Sequence, residues 1–253
     1  MLLTPKPGII YGPVSSRRLG RSLGINLLPP GEKPCTFDCA YCQYGWTKHG
    51  PSSSEYAYPG VEQVLRQVEL ALTDPSLRFE IVTFSGNGEP TTHPRFREIV
   101  DGVVHLRDRH APTARTAVLS NSTRVDDLAV RAALAQLDVR IMKLDAGTEA
   151  VLQRYNHPVE PITLAQILDG LRQIPAVTLQ ALFAAGPDGN ADAAHIDAWI
   201  AQVVAITPLA VQLYTLDRDW PSARLHPVAP AALEELAAAL HARDCPATVF
   251  TRT

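Results

Sequence analysis

Phe79-Glu-Ile-Val-Thr-Phe-Ser85 runs directly into Gly86-Asn-Gly-Glu-Pro90, and a helical pattern from Pro94 to Arg107 follows. The first run is short and rich in β-branched and aromatic residues, and the turn after it carries two glycines and a proline. Pro94 suits the first turn of a helix, where its missing N–H is not needed. A strand that hands over to a helix in this way is half of a βαβ unit. The order recurs on both sides. Candidate strands are Gly24 to Leu28, Thr116 to Ser120, Val139 to Leu144, Val177 to Phe183 and Val211 to Leu216. The helical stretches are Val61 to Leu72, Val125 to Leu137, Thr163 to Gln173, Ala191 to Ile206 and Pro230 to Arg243, with Asp126 and Asp127 placed at the positive start of one of them. The strands are near-continuous apolar runs, as expected when both faces of a parallel sheet are covered. Six strands fall short of the eight of a complete barrel. The expected fold is therefore α/β, a partial (β/α)6 TIM-like barrel with a long cysteine-bearing loop after its first strand.

With 253 residues, 46% hydrophobic and 19% charged, the chain is expected to form a single domain over residues 1–253, with an N-terminal extension over 1–23 and a loop over 29–60. A loop of that length inside a compact domain is usually functional. The net charge of −3 gives no general attraction to nucleic acid, leaving Arg17, Arg18 and Arg21 as a local basic patch. The first residues lack a basic start followed by an apolar signal core, and no apolar run is long enough to span a bilayer. The expected location is cytoplasmic, with no membrane partner.

Four cysteines are too few for a disulfide scaffold, and three of them sit in Cys35-Thr-Phe-Asp-Cys39-Ala-Tyr-Cys42. Three thiolates can anchor three corners of a four-iron cubane and leave the fourth iron open, as a reactive centre requires. A zinc site with His49 as fourth ligand is the competing reading of the spacing. Cys245, far away in sequence, reads as a small buried hydrophobe. The eight histidines show no pairing at metal-ligand spacing.

The three-then-two spacing, with Tyr41 just before the third cysteine, resembles the radical S-adenosylmethionine (SAM) superfamily. The resemblance implies a [4Fe–4S] cluster on Cys35, Cys39 and Cys42, with Tyr41 beside the adenine of SAM. The turn Gly86-Asn87-Gly88-Glu89-Pro90 is similar to the family's Gly-Gly-Glu-Pro turn, which binds the SAM amino group. Asn87 replaces the first glycine, and Asn is among the few residues that tolerate a left-handed backbone. Ser120 and Asn121, at the end of the third strand, stand where the family presents side chains to the ribose and carboxylate of SAM. Such residues also cap helices.

Strand alternation places Lys143 and Asp145 on one face, expected to be the lumen, with Lys143 suited to a carboxylate and Asp145 to a hydroxyl or amine. A structural ion pair is the alternative. Tyr214 and Arg218 are expected to close the barrel near substrate, although a solvated or salt-bridged Arg218 is the plainer reading. The run Tyr11 to Gly24, with Gly88-Glu-Pro90 and Tyr214 to Arg218, resembles a group of short radical SAM proteins related to the wyosine-synthesis enzymes of tRNA. That resemblance implies reductive cleavage of SAM to a 5′-deoxyadenosyl radical, fed by a flavodoxin-like or ferredoxin-like donor. The acidic balance favours a small-molecule or peptide substrate. A tRNA base is the alternative the resemblance offers, and a non-catalytic zinc module is the alternative from another class.

Overall fold

The computed structural model describes residues 2–251. Its sheet has nine strands: β1 (Ile10–Ser16), β2 (Gly20–Ile25), β3 (Ile81–Phe84), β4 (Arg115–Ser120), β5 (Val139–Lys143), β6 (Thr178–Ala185), β7 (Ala210–Thr215), β8 (His226–Pro227) and β9 (Ala247–Phe250). The helices between them are α1 (Val61–Thr73), α2 (Phe96–His110), α3 (Leu128–Leu134), the single turn α4 (Glu149–Val151), α5 (Leu164–Leu171), α6 (Ala193–Ile206) and α7 (Pro230–His241). From β2 through β7, and then to β9, each strand lies parallel to the previous one with helix in between. This is the βα order read from the sequence, and it gives the α/β partial barrel.

The strands are apolar because both of their faces are covered. All of β3 is buried, as is β6 up to its last residue. Each helix returns one stripe to the sheet. On α1 the buried positions Val61, Val64, Val68, Ala71 and Leu72 follow the 3.6-residue period. Trp199 of α6 is fully buried, meets Phe183 of β6 edge to face with centroids 5.0 Å apart, and donates from Nε1 to the carbonyl of Leu144 at 2.7 Å. The indole thereby buries its area without leaving its one donor unpaired. Cys245 is buried and free, in keeping with its reading as a small hydrophobe.

The N-terminal segment departs from expectation. Residues 1–23 were expected as an extension, but they carry β1 and most of β2, and β1 pairs antiparallel with β2 from Ile10–Ile25 to Ser16–Gly20. This hairpin forms one edge of the sheet and β9 the other. From the hairpin turn, Arg17 reaches across to both sides of the far edge, donating to the carbonyl of Thr251 at 2.6 Å and pairing with Asp217 after β7. One side chain thus fastens the two edges of the curved sheet together.

Candidate functional site

The loop after β2 is held in place by main-chain contacts to a distant segment. The amide of Asp38 donates to the carbonyls of Asn156 (3.0 Å) and His157 (2.9 Å), and that of Ala40 to Tyr155 at 3.1 Å. These acceptors lie in and just after a π-helical turn, Leu152–Asn156, which continues α4. Turns of this kind recur at functional sites because they aim side chains that a regular helix would point elsewhere. Within the loop, Cys42 N bonds back to Cys39 O at 3.0 Å and Gly45 N to Cys42 O at 2.9 Å.

So held, Cys35, Cys39 and Cys42 line one cavity of about 320 Å3, together with Tyr41, Gly88, Glu89, Ser120, Asn121 and Lys143. All three thiols are free. Burial raises the pKa of Cys35, and burial with the neighbouring Cys42 and Asp145 pushes Cys39 up to about 11, so a metal bound by these two sulfurs must displace their protons. Two side-chain amides already approach the sulfurs: Asn121 Nδ2 lies 3.6 Å from Cys35 Sγ, and Asn156 Nδ2 lies 3.6 Å from Cys39 Sγ. Donors aimed at ligand sulfurs are the outer support expected of a metal centre. Among the described residues, no group of three or more His, Cys, Asp or Glu side chains is arranged to hold a metal ion. His49, the fourth ligand of the zinc reading, instead lies 3.1 Å from Glu55.

The glutamate turn sits against the start of this loop. A Cβ at Gly88 would come within 2.0 Å of the Pro34 carbonyl, so only glycine permits this approach. The turn's left-handed position is Gly86, with φ of 137°, and not Asn87. The carboxamide of Asn87 faces away from the cavity and clamps the main chain of Lys6, donating to its carbonyl at 2.9 Å. Pro90 likewise does not line the cavity and opens a 3-10 turn capped by Glu89. Glu89 is buried, and its carboxylate accepts from Thr91 N (3.0 Å), Thr91 Oγ1 (2.6 Å), Ser120 Oγ (2.9 Å) and Asn121 N. Burial raises its pKa in spite of these donors.

Ser120 and Asn121 are not helix caps, since Asp127 caps α3 by accepting from Ala129 N and Val130 N. They tie β4 to the glutamate turn and to the cysteine loop, where Asn121 Nδ2 also donates to Thr36 Oγ1 at 2.8 Å.

Lys143 and Asp145 do share a face, 3.6 Å apart. Lys143 reaches the cavity and donates to Tyr214 Oη at 2.9 Å. Burial works against its charge, but Asp145 and Tyr214 outweigh it and hold its pKa above the ordinary lysine value. Asp145 is buried behind it, accepting from Leu182 N (2.9 Å), Asn156 Nδ2 (2.9 Å) and Tyr41 Oη, and does not line the cavity. Tyr41 therefore carries a double duty: its ring forms cavity wall while its hydroxyl anchors to Asp145. Tyr214 and Arg218 lie outside the cysteine cavity and line a neighbouring one.

Three participants were not singled out in the sequence. Lys33 lines the cysteine cavity, buried, and donates to Gly45 O. A lone lysine two residues before the first cysteine was its only signal. Tyr11, on β1, bonds Ser85 across the cavity mouth. Asn156 contacts Cys39, Tyr41 and Asp145 together, from a stretch with no motif.

The family model of the radical SAM superfamily matches residues 34–186. A UPF0026 protein of Synechocystis is 39% identical over 164 residues, which are 64% of this chain and 58% of that protein. The chain thus covers less than two thirds of that relative's length. A radical SAM methyltransferase from Sphaerobacter thermophilus superposes with a TM-score of 0.66 at 15% identity, over 90% of this chain and 65% of that one. TYW1 with a lysine-pyruvate adduct bound gives 0.58 at 16% identity, over 89% and 75%. At these identities the two structures speak for the fold.

Proposed function

This chain belongs to the radical SAM superfamily, and on that premise we propose that Cys35, Cys39 and Cys42 hold a [4Fe–4S] cluster in an enzyme that acts on a small-molecule or peptide substrate. When bound, the cluster and SAM would supply reductive cleavage of SAM to methionine and a 5′-deoxyadenosyl radical that takes hydrogen from the substrate, with the electron delivered by a flavodoxin-like or ferredoxin-like protein. The observation that carries this reading is the convergence of three free cysteines, the Gly88-Glu89 turn and the Ser120-Asn121 strand end on a single cavity.

The chain's own part is placement and shielding. Asn121 and Asn156 support the sulfurs of Cys35 and Cys39. Lys33 brings a buried positive charge to the thiolates, whose assembly with iron carries net negative charge. Gly88 lets the glutamate turn lie against the loop, where the main chain of the turn and Ser120 would receive the polar end of SAM. Lys143 remains charged at the inner wall. The unpaired state of all four cysteines fits a reducing cytoplasmic compartment, and among the described residues no helix is long and apolar enough to cross a membrane.

The reading is tested by reducing anaerobically reconstituted protein with dithionite in the presence of SAM. Release of 5′-deoxyadenosine and methionine is expected, and its loss in Cys35→Ala, Cys39→Ala and Cys42→Ala. Wild-type protein that holds a cluster yet leaves SAM intact contradicts it.

A further inference from the structure

Beside the cysteine cavity lies another of about 240 Å3, bounded by the β1–β2 turn, the residue after Cys42 and the segment following β7. Its walls include Arg17, Arg18, Gln43, Tyr214, Asp217 and Arg218. Arg17 and Asp217 satisfy one another. The other two guanidinium groups are not matched: among the described residues neither the Arg18 nor the Arg218 side chain has a carboxylate or carbonyl partner, and Arg18 Nη1 is shut off from solvent with no acceptor. Arg18 and Arg218 both line the cavity, so their remaining N–H donors are available to an acceptor from outside the chain.

The geometry around Arg18 favours one kind of acceptor. Its guanidinium lies 5.2 Å from the ring centroid of Tyr214, which restrains the orientation of the fork. Tyr214 Oη in turn accepts from Lys143, which lines the cysteine cavity, so Tyr214 and Lys143 stand between the two spaces. Two free guanidinium groups facing no free carboxylate match an oxyanion, whose oxygens accept from planar N–H donors in pairs. Arg21, the third member of the basic patch seen in the sequence, is occupied by Glu80, 3.8 Å away and also bonded to the Arg21 amide at 2.8 Å. What is left is a cationic pocket for a single group, not a track for a polyphosphate chain.

We propose that this cavity is the subsite for an oxyanion of the substrate, a carboxylate or a phosphate, gripped by Arg18 and Arg218 so that the rest of the molecule extends past Tyr214 toward Lys143 and the cysteines. The inference rests on the function proposed above and names the substrate class: a small molecule bearing an anionic group.

Calorimetric titration of the purified full chain with succinate, and separately with inorganic phosphate, tests it. Saturable binding of at least one probe is expected, weakened about tenfold or more by Arg18→Gln and by Arg218→Gln, and unchanged in Arg21→Gln. The tighter probe tells whether the group is a carboxylate or a phosphate. Arg218 is exposed, so its variant decides the matter even if Arg18→Gln fails to fold. Absence of saturable binding to both probes, or equal losses in all three variants, overturns the proposal. So does tRNA binding that weakens steeply with salt and is lost in the same variants, because the arginines then serve nucleic-acid phosphates. The titration requires no cluster: protein that binds the probes but takes up no iron overturns the function proposed above and leaves this subsite standing, whereas iron uptake without anion binding overturns the subsite alone.

Discussion

Glu89, in the turn after β3, accepts a hydrogen bond from Ser120 at the end of β4, 2.9 Å away. With Thr91 and Asn121 donating to the same carboxylate, the glutamate of the SAM-type turn is a cross-brace between neighbouring strand ends as well as a wall of the cavity. Glu89→Ala leaves those donors unpaired. It should lower stability by about 2–4 kcal/mol in urea unfolding and, in the remaining folded protein, weaken SAM binding measured by equilibrium dialysis. Unchanged SAM affinity would assign the residue to the fold alone.

Gly88 explains why that turn is glycine-rich on its cavity side. Its Cβ position lies 2.0 Å from the Pro34 carbonyl, next to Cys35. Gly88→Ala must push the cysteine loop away, and reduced iron per chain after reconstitution is expected. Gly60→Ala, at a position with nothing within 4 Å, is expected to load iron like the wild type. Equal loading of the two variants would show that the turn and the loop are not coupled.

Lys143 and Asp145 form a buried pair in which the lysine is the cation and Tyr41, Asn156 and Leu182 supply the remaining donors to the carboxylate. Removing the lysine strands a buried charge. Lys143→Met should therefore cost about 3–5 kcal/mol in urea unfolding, whereas the double variant Lys143→Met with Asp145→Asn should recover part of that loss. No recovery in the double variant would mean that the pair is not coupled in this way.

His195 is expected to make the docking of α6 sensitive to acid. Its Nε2 accepts from the Gly147 amide at 2.8 Å, so the neutral ring carries its proton on Nδ1, which donates to the Asn190 carbonyl. Burial lowers its pKa below the ordinary histidine value. A lowered folded-state pKa means stability present at neutral pH and lost as pH falls below the unfolded value near 6.5, when the ring must take a proton that breaks the Gly147 bond. The urea midpoint should decline as pH falls below about 6.5, and the decline should shrink in His195→Gln. An unchanged pH profile in that variant would place the sensitive group elsewhere.

Most of the parallel core was legible because β3 to β7 are largely apolar runs with helix after each. β5 and β7, for example, fall within a residue of their expected ends, whereas β2 begins at Gly20, four residues before its expected start at Gly24. β1 was not, since Ile10–Ser16 contains Gly12-Pro13 and shows solvent along much of its length; its partner β2, not its own composition, makes it a strand. β9 is only four residues long and becomes a strand by pairing with β7. The same division runs through the site. The cysteines, Glu89 and Ser120 lie in local patterns with recognisable spacing. Asn156 and Arg18 acquire their roles from contacts over long sequence distances, which no local pattern encodes. Asn87 was read as part of the SAM turn from its neighbours, yet its side chain fastens Lys6.

The central claim is that the cavity of Cys35, Cys39 and Cys42 takes up a cubane. Quantifying iron, acid-labile sulfide and zinc in protein isolated and reconstituted without oxygen tests it most directly. The account predicts about four irons and four sulfides per chain, a brown colour, and loss of both in Cys35→Ala, Cys39→Ala and Cys42→Ala. One zinc per chain with no iron, retained through the same preparation, would contradict it.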